Sequence, residues 1–356
     1  MVSERLCRPG TQQQDAWTYD RVGNWTMSGW TADAKADMLT ASPGSKTYTY
    51  TPRGSLKEVY ANQQQAQTFG YDAEGLLTFK SDLQQTLVSL MGWDHAGRRT
   101  ELTPNGGTPW RFVYDPTASV PAVVVEDLNG TPQAFYVREP DGRLIAREAG
   151  ESLQYYFFDL LGSTILIAPA AENNPTDRFY YTPWGETVTA GARASAISTT
   201  ANPYRYVGSF GYYTHHQDAN LADWMQLGVR FYEPELGRFE RRDPVPSAVI
   251  HGYAYADAKP TGATDPSGLA TSAGVSGAAI AVWFFGCPGY AATEASVVGL
   301  VLPKGYPASD KLLHCIAACR LRRCGTIAMS WAWGWGKEIH DFWRNLWGKK
   351  DSPVDL

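Results

Sequence analysis

The stretch QTFGYDAEGLLTFK (67–80) decides the fold, because it joins two strand-like segments through a tight-turn signature. Tyr71 is followed by an aspartate, two variable residues and Gly75. Aspartate begins a turn well, and glycine adopts the positive φ that other residues resist. The stretch therefore predicts a β-hairpin in which Tyr71 ends one strand and packs on its neighbours.

The same unit recurs through the first two-thirds of the chain, with a glycine four positions after an aromatic residue. Alternating segments such as KTYTY (46–50) and WRFVY (110–114) flank these turns. The copies are YDRVG (19–23), YTPRG (50–54), YDAEG (71–75), WDHAG (93–97), FDLLG (158–162), YTPWG (181–185) and the longer YEPELG (232–237). The repeat predicts a long antiparallel sheet built from successive hairpins, in preference to an ordinary β-sandwich whose turns share a consensus.

Composition supports a β-rich protein and excludes several classes. The 356 residues include 20 tyrosines, 13 tryptophans, 34 glycines and 22 prolines, a mixture typical of many short strands. A net charge of −5 gives no bulk attraction to nucleic acid or to anionic membranes. Five cysteines are too few for a disulfide scaffold. The first residues show no signal-peptide pattern, and nothing in the sequence indicates a cofactor.

The composition changes sharply within ATDPSGLATSAG (263–274). No charged residue stands between Pro266 and Thr293. The most apolar part, GAAIAVWFFGC (277–287), is too short to span a bilayer comfortably, so a buried helix is preferred over membrane insertion. We therefore place a domain boundary after Leu269.

Three consecutive segments carry a resemblance to a known family. They are NPYRYVGSFGYY (202–213), LGVRFYEPELGRFERRDPV (227–245) and HGYAYADAKPTGATDPSGL (251–269). In this order they resemble the Rhs repeat-associated core domain, and the upstream units resemble the YD repeats that Rhs proteins share with insecticidal toxin-complex shell proteins and teneurins. The resemblance covers about residues 15–269, although DAKP (257–260) stands where the family usually has Asn-Asn-Pro.

The resemblance implies a mainly β fold with three parts. These are an antiparallel YD-repeat hairpin sheet forming a partial β-shell (1–200), the core domain (201–269) and a variable helical C-terminal domain (270–356). In the family the sheet spirals into a hollow shell that holds the C-terminal domain until release. Family shells contain many more repeats, so this chain resembles the C-terminal end of such a protein: a fragment, an orphan cassette or a degenerate copy.

The resemblance also implies a site for self-cleavage. Asp243 and Asp265 match aspartates that cut related chains just after the closing leucine, here Leu269, and Arg242 matches a neighbouring basic residue. Two carboxylates held close share a proton, so one can activate water while the other polarises the scissile carbonyl. Arg242 could hold one aspartate ionised. The alternative is purely structural, since Asp-Pro-Ser-Gly is a favourable turn sequence.

The C-terminal segment predicts two helices with a polar cluster between them. Asp310 and His314 share a face of one helix, and Glu338 and Asp341 share a face of the next. Such a set could bind a divalent metal or perform acid–base chemistry. It could equally be a buried network in which Lys337 pairs with a carboxylate. The identity of any metal stays open.

Two further features of this segment leave alternatives open. The cysteines at 315, 319 and 324 suit a zinc site, a disulfide to Cys287 or an ordinary helical core. Tryptophans and basic residues near the C-terminus suit either an interfacial membrane helix or a packed helical hairpin. The tryptophans are Trp331, Trp333, Trp335, Trp343 and Trp347.

The first functional hypothesis is therefore a fragment of a toxin shell that presents, and by self-cleavage releases, its C-terminal domain. The resemblance implies an immunity protein and secretion machinery as partners, and a secreted or cell-surface location. A non-catalytic surface adhesion or interaction protein is the second hypothesis, and a truncated pseudogene product is the third. The sequence leaves the activity of 270–356 and the oligomeric state open.

Overall fold

The structure is a computed structural model, and it describes most of the chain as far as residue 273. The described ranges are 2–7, 14–33, 35–82, 86–115, 122–139, 142–150, 152–170, 176–188, 201–245, 252–269 and 272–273. All of them belong to one compact unit, Met1–Gly274. The predicted C-terminal helices, the cysteine and tryptophan features and the polar cluster of Asp310, His314, Glu338 and Asp341 lie outside the described residues and stay predictions.

The described residues form 23 β-strands and three short 3-10 segments, without an α-helix among them. The 3-10 segments are Gly208–Phe210, Ala219–Leu221 and Tyr255–Ala258. The strands are β1 (Val2–Cys7), β2 (Gln14–Tyr19), β3 (Thr31–Ala32), β4 (Leu39–Ser42), β5 (Lys46–Tyr50), β6 (Leu56–Ala61), β7 (Gln64–Tyr71), β8 (Leu77–Asp82), β9 (Val88–Trp93), β10 (Arg99–Pro104), β11 (Trp110–Tyr114), β12 (Val123–Leu128), β13 (Thr131–Arg138), β14 (Leu144–Ala149), β15 (Ser152–Phe158), β16 (Thr164–Pro169), β17 (Asp177–Arg178), β18 (Tyr213–Thr214), β19 (Met225–Leu227), β20 (Arg230–Glu233), β21 (Arg238–Phe239), β22 (Ala263–Thr264) and β23 (Ser272–Ala273).

One antiparallel sheet dominates the architecture. Strands β3 to β17 form a single 15-stranded sheet in which each strand pairs only with its neighbours in the sequence. Strands β18 to β21 form a separate four-stranded sheet, and β1–β2 and β22–β23 are two-stranded. The prediction of a mainly β protein with a long antiparallel hairpin sheet is confirmed.

The repeats make one and the same turn. In YDAEG, the Asp72 N–H donates to the Leu76 carbonyl at 3.0 Å, and the Gly75 N–H donates to the Asp72 carbonyl at 3.1 Å. Asp72 Oδ1 accepts a further bond from the Leu76 N–H at 2.8 Å. The seven repeat glycines have φ between 62° and 98°, the left-handed region in which glycine is favoured. The Asp-to-Gly spacing thus dictates the hairpin.

An eighth turn of this kind escaped the sequence analysis. The Glu139 N–H donates to the Arg143 carbonyl at 2.8 Å, and the Gly142 N–H donates to the Glu139 carbonyl at 2.8 Å. Gly142 has φ 88°, as the other repeat glycines do. Arg138 stands in the aromatic position and Glu139 in the aspartate position, so the unit does not match the consensus.

The turn also fixes which residues face inward. In the six shorter repeats the aromatic pairs with the residue six positions later, as in Tyr50 with Leu56 and Tyr71 with Leu77, whereas in the longer repeat Tyr232 pairs with Phe239. The strand register shifts just before the aromatic, which is a β-bulge and increases the local twist. Leu56 is 2% exposed and Leu77 is fully buried. The same position is also buried where it is polar, as with Arg99 opposite Trp93 and Thr164 opposite Phe158, so the repeat determines which residue of the hairpin faces inward.

The core lies between the buried face of the large sheet and residues 201–269. Leu77, Leu102 and Ile167 from the sheet belong to one apolar cluster with Trp224 and Phe231. Phe69 stacks on Trp224 with ring centroids 5.4 Å apart. The core-domain segment therefore covers the inner face of the sheet.

Buried cations on this face are partnered from residues 201–226. Lys80 Nζ donates to the backbone carbonyl and to Oδ1 of Asn220, the latter at 3.1 Å. Arg99 Nε donates to Gln226 Oε1 at 2.7 Å. Burial lowers the pKa of Lys80. Since an unpartnered buried charge is costly, these contacts tie the two parts of the chain together.

A buried carboxylate completes the polar layer. Glu126 is 1% exposed, and its Oε1 accepts hydrogen bonds from Tyr213 at 2.6 Å and Tyr136 at 2.9 Å. His216 Nε2 lies 3.5 Å from Glu126 Oε2. Burial raises the pKa of Glu126, and the two tyrosine hydroxyls oppose that rise. Sheet and core domain thus share hydrogen bonds as well as apolar contacts.

A pair of glycine substitutions separates the turn from the packing around it. Gly44 (φ 79°) has open space where a Cβ would stand, whereas a Cβ on Gly185 (φ 98°) would lie 2.6 Å from Tyr206 Cδ1. We expect Gly44→Ala to lower the free energy of unfolding by about 1 kcal/mol, from backbone strain alone. Gly185→Ala should cost about 3 kcal/mol, because the buried Tyr206 ring must also shift. Urea denaturation measures both, and equal losses would contradict this account of the packing.

Candidate functional site

Arg230 brings the two predicted aspartates together. It opens strand β20, and its Nη2 lies 2.9 Å from Asp243 Oδ2 and 3.3 Å from Asp265 Oδ2. The side chains of all three residues are at least nine-tenths buried. The two carboxylates, which are far apart in sequence, therefore contact a single nitrogen atom.

Backbone contacts fix each aspartate from both sides. The Asp243 N–H donates to the Gly252 carbonyl at 2.8 Å, and Asp243 Oδ1 accepts from the Val245 N–H at 2.8 Å. The Asp265 N–H donates to the Tyr212 hydroxyl at 2.7 Å. Local turns thus orient both carboxylates before any reaction takes place.

The rest of the Arg230 side chain is also engaged. Its guanidinium carbon lies 3.6 Å from the centroid of the Phe239 ring, a cation–π contact. Nη1 donates to the Gly252 carbonyl at 3.3 Å, and Nε donates to the Gly268 carbonyl. Burial lowers the pKa of Arg230, and Asp243 and Asp265 raise it. A charged guanidinium therefore links the two aspartates and the turn that precedes Leu269.

This geometry revises the expected electrostatics of the pair. Among the described residues, neither aspartate contacts the Arg242 side chain, which is exposed and runs along Gly252. The cation beside both carboxylates is Arg230. Arg230 thus occupies the position beside the aspartates that was expected for Arg242. In the sequence, Arg230 stands at the start of the aromatic strand RFYE. An arginine in such a segment is typical of a buried charge that has a partner.

The predicted cleavage point is attached to this cluster. The Leu269 N–H donates to Asp265 Oδ1 at 3.1 Å, and the Gly268 N–H donates to the Asp265 carbonyl at 3.2 Å. Leu269 also lines an open groove of about 560 Å³ together with Trp93, Val229 and Arg241. The structure thus places Leu269 against Asp265; its neighbour at position 270 lies outside the described residues.

The chain folds back just beyond this point. Strand β22 pairs antiparallel with β23, with Ala263 opposite Ala273 and Thr264 opposite Ser272. Asp265 follows directly on β22. The carboxylate and the predicted scissile bond consequently lie in the same hairpin loop.

A third buried carboxylate, Glu240, lies next to the cluster. Its Oε2 accepts from the Phe231 N–H at 2.7 Å, and its Oε1 lies 3.7 Å from Arg241 Nε. Burial raises the pKa of Glu240 to about 7, while Arg241, the Phe231 N–H and Arg230 oppose the rise. Glu240 was not predicted from sequence, because nothing in FERRDP separates it from an exposed acidic residue.

The described ranges show neither a metal-binding cluster nor a membrane-spanning helix. Within them, no group of three or more His, Cys, Asp or Glu side chains is arranged to hold a metal ion. No helix in that part of the chain is long and apolar enough to cross a membrane.

The sequence matches the family described as Teneurin YD-shell over residues 2–250. The chain belongs to the YD-shell family. This agrees with the hairpin turns and the 15-stranded sheet, and it confirms the resemblance to Rhs-type YD-repeat proteins.

Individual relatives of this YD-shell chain are distant and much longer. Double-stranded DNA deaminase toxin A of Burkholderia cenocepacia (strain H111) is 24% identical over 258 residues, which cover 63% of this chain and 17% of that protein. The Photorhabdus luminescens Tc holotoxin pore is 17% identical with a TM-score of 0.44, covering 72% of this chain and 17% of that one. The TcdB2-TccC3 crystal structure is 16% identical with a TM-score of 0.45, covering 72% and 16%. The YD-shell chain thus spans less than a fifth of each.

Removing the central cation should expose the electrostatic cost of the cluster. Arg230→Met leaves Asp243 and Asp265 buried without a counter-charge, and we expect a loss of about 3 kcal/mol or more in the free energy of unfolding. Arg242→Met removes an exposed arginine and should cost about 0.5 kcal/mol or less. Urea denaturation measures both variants. Adding Asp243→Asn and Asp265→Asn to Arg230→Met should recover part of the loss; equal effects of the two arginine variants would refute the assigned role.

Glu240 should make stability depend on pH. Its folded pKa of about 7 lies above the ordinary 4.5, so the folded state holds a proton that the unfolded state releases. The free energy of unfolding therefore falls as pH rises from about 4.5 to 7, by at most about 3 kcal/mol. Glu240→Gln should remove this part of the fall, so it gains on the wild type between pH 5 and pH 8. Urea titrations at both pH values test this, with the exposed Glu235→Gln as the control that should show no such gain.

Proposed function

We propose that this chain is part of a toxin-type YD-shell protein that cleaves itself between Leu269 and Ala270. The cleavage would release the segment that follows Leu269. The observation that carries the proposal is that Asp243 and Asp265 contact one buried arginine while Asp265 also binds the Leu269 amide.

The chemistry is hydrolysis of a peptide bond in cis. Asp265 positions Leu269, and the slightly more exposed Asp243 acts as general base toward a water molecule. As the water oxygen bonds to the Leu269 carbonyl carbon, Asp243 takes its proton. The same carboxyl group then gives a proton to the Ala270 nitrogen as the C–N bond breaks. Arg230 contacts both carboxylates and holds them in place.

In an ordinary protease, binding energy brings the substrate to the catalytic groups. In this proposal, the fold brings the peptide bond to the carboxylates. The bond is covalently part of the site, so its effective concentration at the carboxylates is high without any affinity for a separate substrate. The cost is that the site acts only once per chain. Such a site suits a processing event better than a metabolic activity.

The assignment to a toxin-type protein rests on the resemblance of the core motifs and on the name of the Burkholderia relative. An immunity protein, secretion machinery and a secreted or cell-surface location belong to the same proposal. The deaminase activity in that relative's name is not extended to this chain. If cleavage does not occur, the non-catalytic surface interaction protein becomes the better account of the sheet.

Intact-mass spectrometry of the purified full chain tests the cleavage. We expect the wild type to give two fragments that meet at Leu269 and Ala270, and Asp243→Asn and Asp265→Asn to stay intact, because each loses an essential carboxylate. Asp257→Asn is the matched control: this aspartate is exposed in the same segment, and its variant should be cleaved like the wild type. A wild-type chain that keeps a single intact mass would rule the cleavage out.

A further inference from the structure

The hairpin around the predicted cleavage point holds the chain on both sides of the bond. On the N-terminal side, Leu269 is bound to Asp265 through its amide. On the C-terminal side, Ser272 and Ala273 pair with Thr264 and Ala263. The loop between these anchors contains both the Asp265 carboxylate and the bond itself.

The N-terminal anchor is rigid. A Cβ on Gly228 would lie 2.1 Å from the Ser267 carbonyl oxygen, so the backbones of the two turns are in direct contact. The Val229 N–H donates to the Ser267 carbonyl at 3.4 Å. Because Arg230 Nε also binds the Gly268 carbonyl, residues 267–269 are seated against the 228–230 turn. The N-terminal side of the bond therefore needs no further restraint.

The C-terminal side has a different kind of anchor. Strand β22 ends one residue before Asp265, so the strand that pairs with Ser272 and Ala273 leads directly into the carboxylate that binds Leu269. Backbone pairing fixes an extended segment without reading its side chains. A peptide bond fixed on both sides spends more time in the orientation needed for attack.

We propose that strand β22 is the positioning element for cleavage, holding residues 272–273 by backbone pairing so that the Leu269–Ala270 bond stays at the carboxylate pair. The inference rests on the proposed self-cleavage. Ala263 and Thr264 are positioning residues, acting through the main chain. The segment after the cut would need only an extended backbone, with a free N–H at whichever of its third and fourth residues donates to strand β22.

Proline substitutions test the pairing with an internal control. In a two-residue antiparallel ladder, one of the opposed pairs exchanges hydrogen bonds and the other does not. Of Ser272→Pro and Ala273→Pro, one variant therefore loses a ladder donor, and we expect its cleavage to slow about tenfold. The other proline variant should be cleaved at close to the wild-type rate. Ser272→Ala, which keeps its N–H, should match the wild type.

The rates are followed during cell-free synthesis of the full chain, with the cleaved fraction measured by mass spectrometry. In the Asp243→Asn background, amide hydrogen exchange at 264 and 272–273 reports the pairing without any cleavage; the Ala263 amide is left out because it donates to the Lys259 carbonyl. We expect protection there, and its loss in the slow proline variant. Equal cleavage rates in all variants, or unprotected amides, would overturn the positioning role while leaving self-cleavage intact. A wild type that is never cleaved would instead remove the proposed function.

Discussion

The buried face of the 15-stranded sheet imposes the constraint on which the rest of the structure depends. It carries charged side chains, among them Lys80, Arg99 and Glu126, at positions where water does not reach. Such groups are tolerated only when partners satisfy them. In the described part of the chain, residues 201–226 supply several of these partners, together with aromatic rings that fill the core. The Arg99 guanidinium, for example, lies over the rings of Phe112 and Tyr213. The sheet and the core domain therefore depend on each other for stability, although they are separate segments of the sequence.

The Arg230 cluster applies the same rule at the end of the core domain. A buried guanidinium needs carboxylates, and the two that Arg230 contacts, Asp243 and Asp265, lie 22 positions apart in the sequence. The contact of Nε with the Gly268 carbonyl extends the cluster to the boundary with the C-terminal segment. The same cluster holds Leu269, whose N–H donates to Asp265. Stability and the proposed chemistry use the same atoms.

Local features of the fold were predictable, and distant contacts were not. The hairpins follow from short-range chemistry, since an aspartate or a Thr-Pro pair and a positive-φ glycine specify each of the six shorter turns within five residues. The turn at Glu139 was missed because its side chains differ although its backbone does not. Asp243 and Asp265 were found through family motifs, whereas Arg230 was not, since its role appears only when β20 meets two turns in space. The family motif suggested Arg242, whose side chain runs along Gly252 instead.

The strictly sequential order of the 15 strands has a consequence for how the protein is made. Every strand pairs with one that has just been synthesised, so the sheet can grow by low contact-order steps as the chain leaves the ribosome. The inner face of the sheet, which carries polar and aromatic side chains, however, stays exposed to solvent until residues 201–269 have been synthesised and pack on it. Residues 201–269 are translated after the sheet, so their packing against its inner face is a later step of assembly. A nascent chain stalled before residue 201 would expose that face and be prone to aggregation.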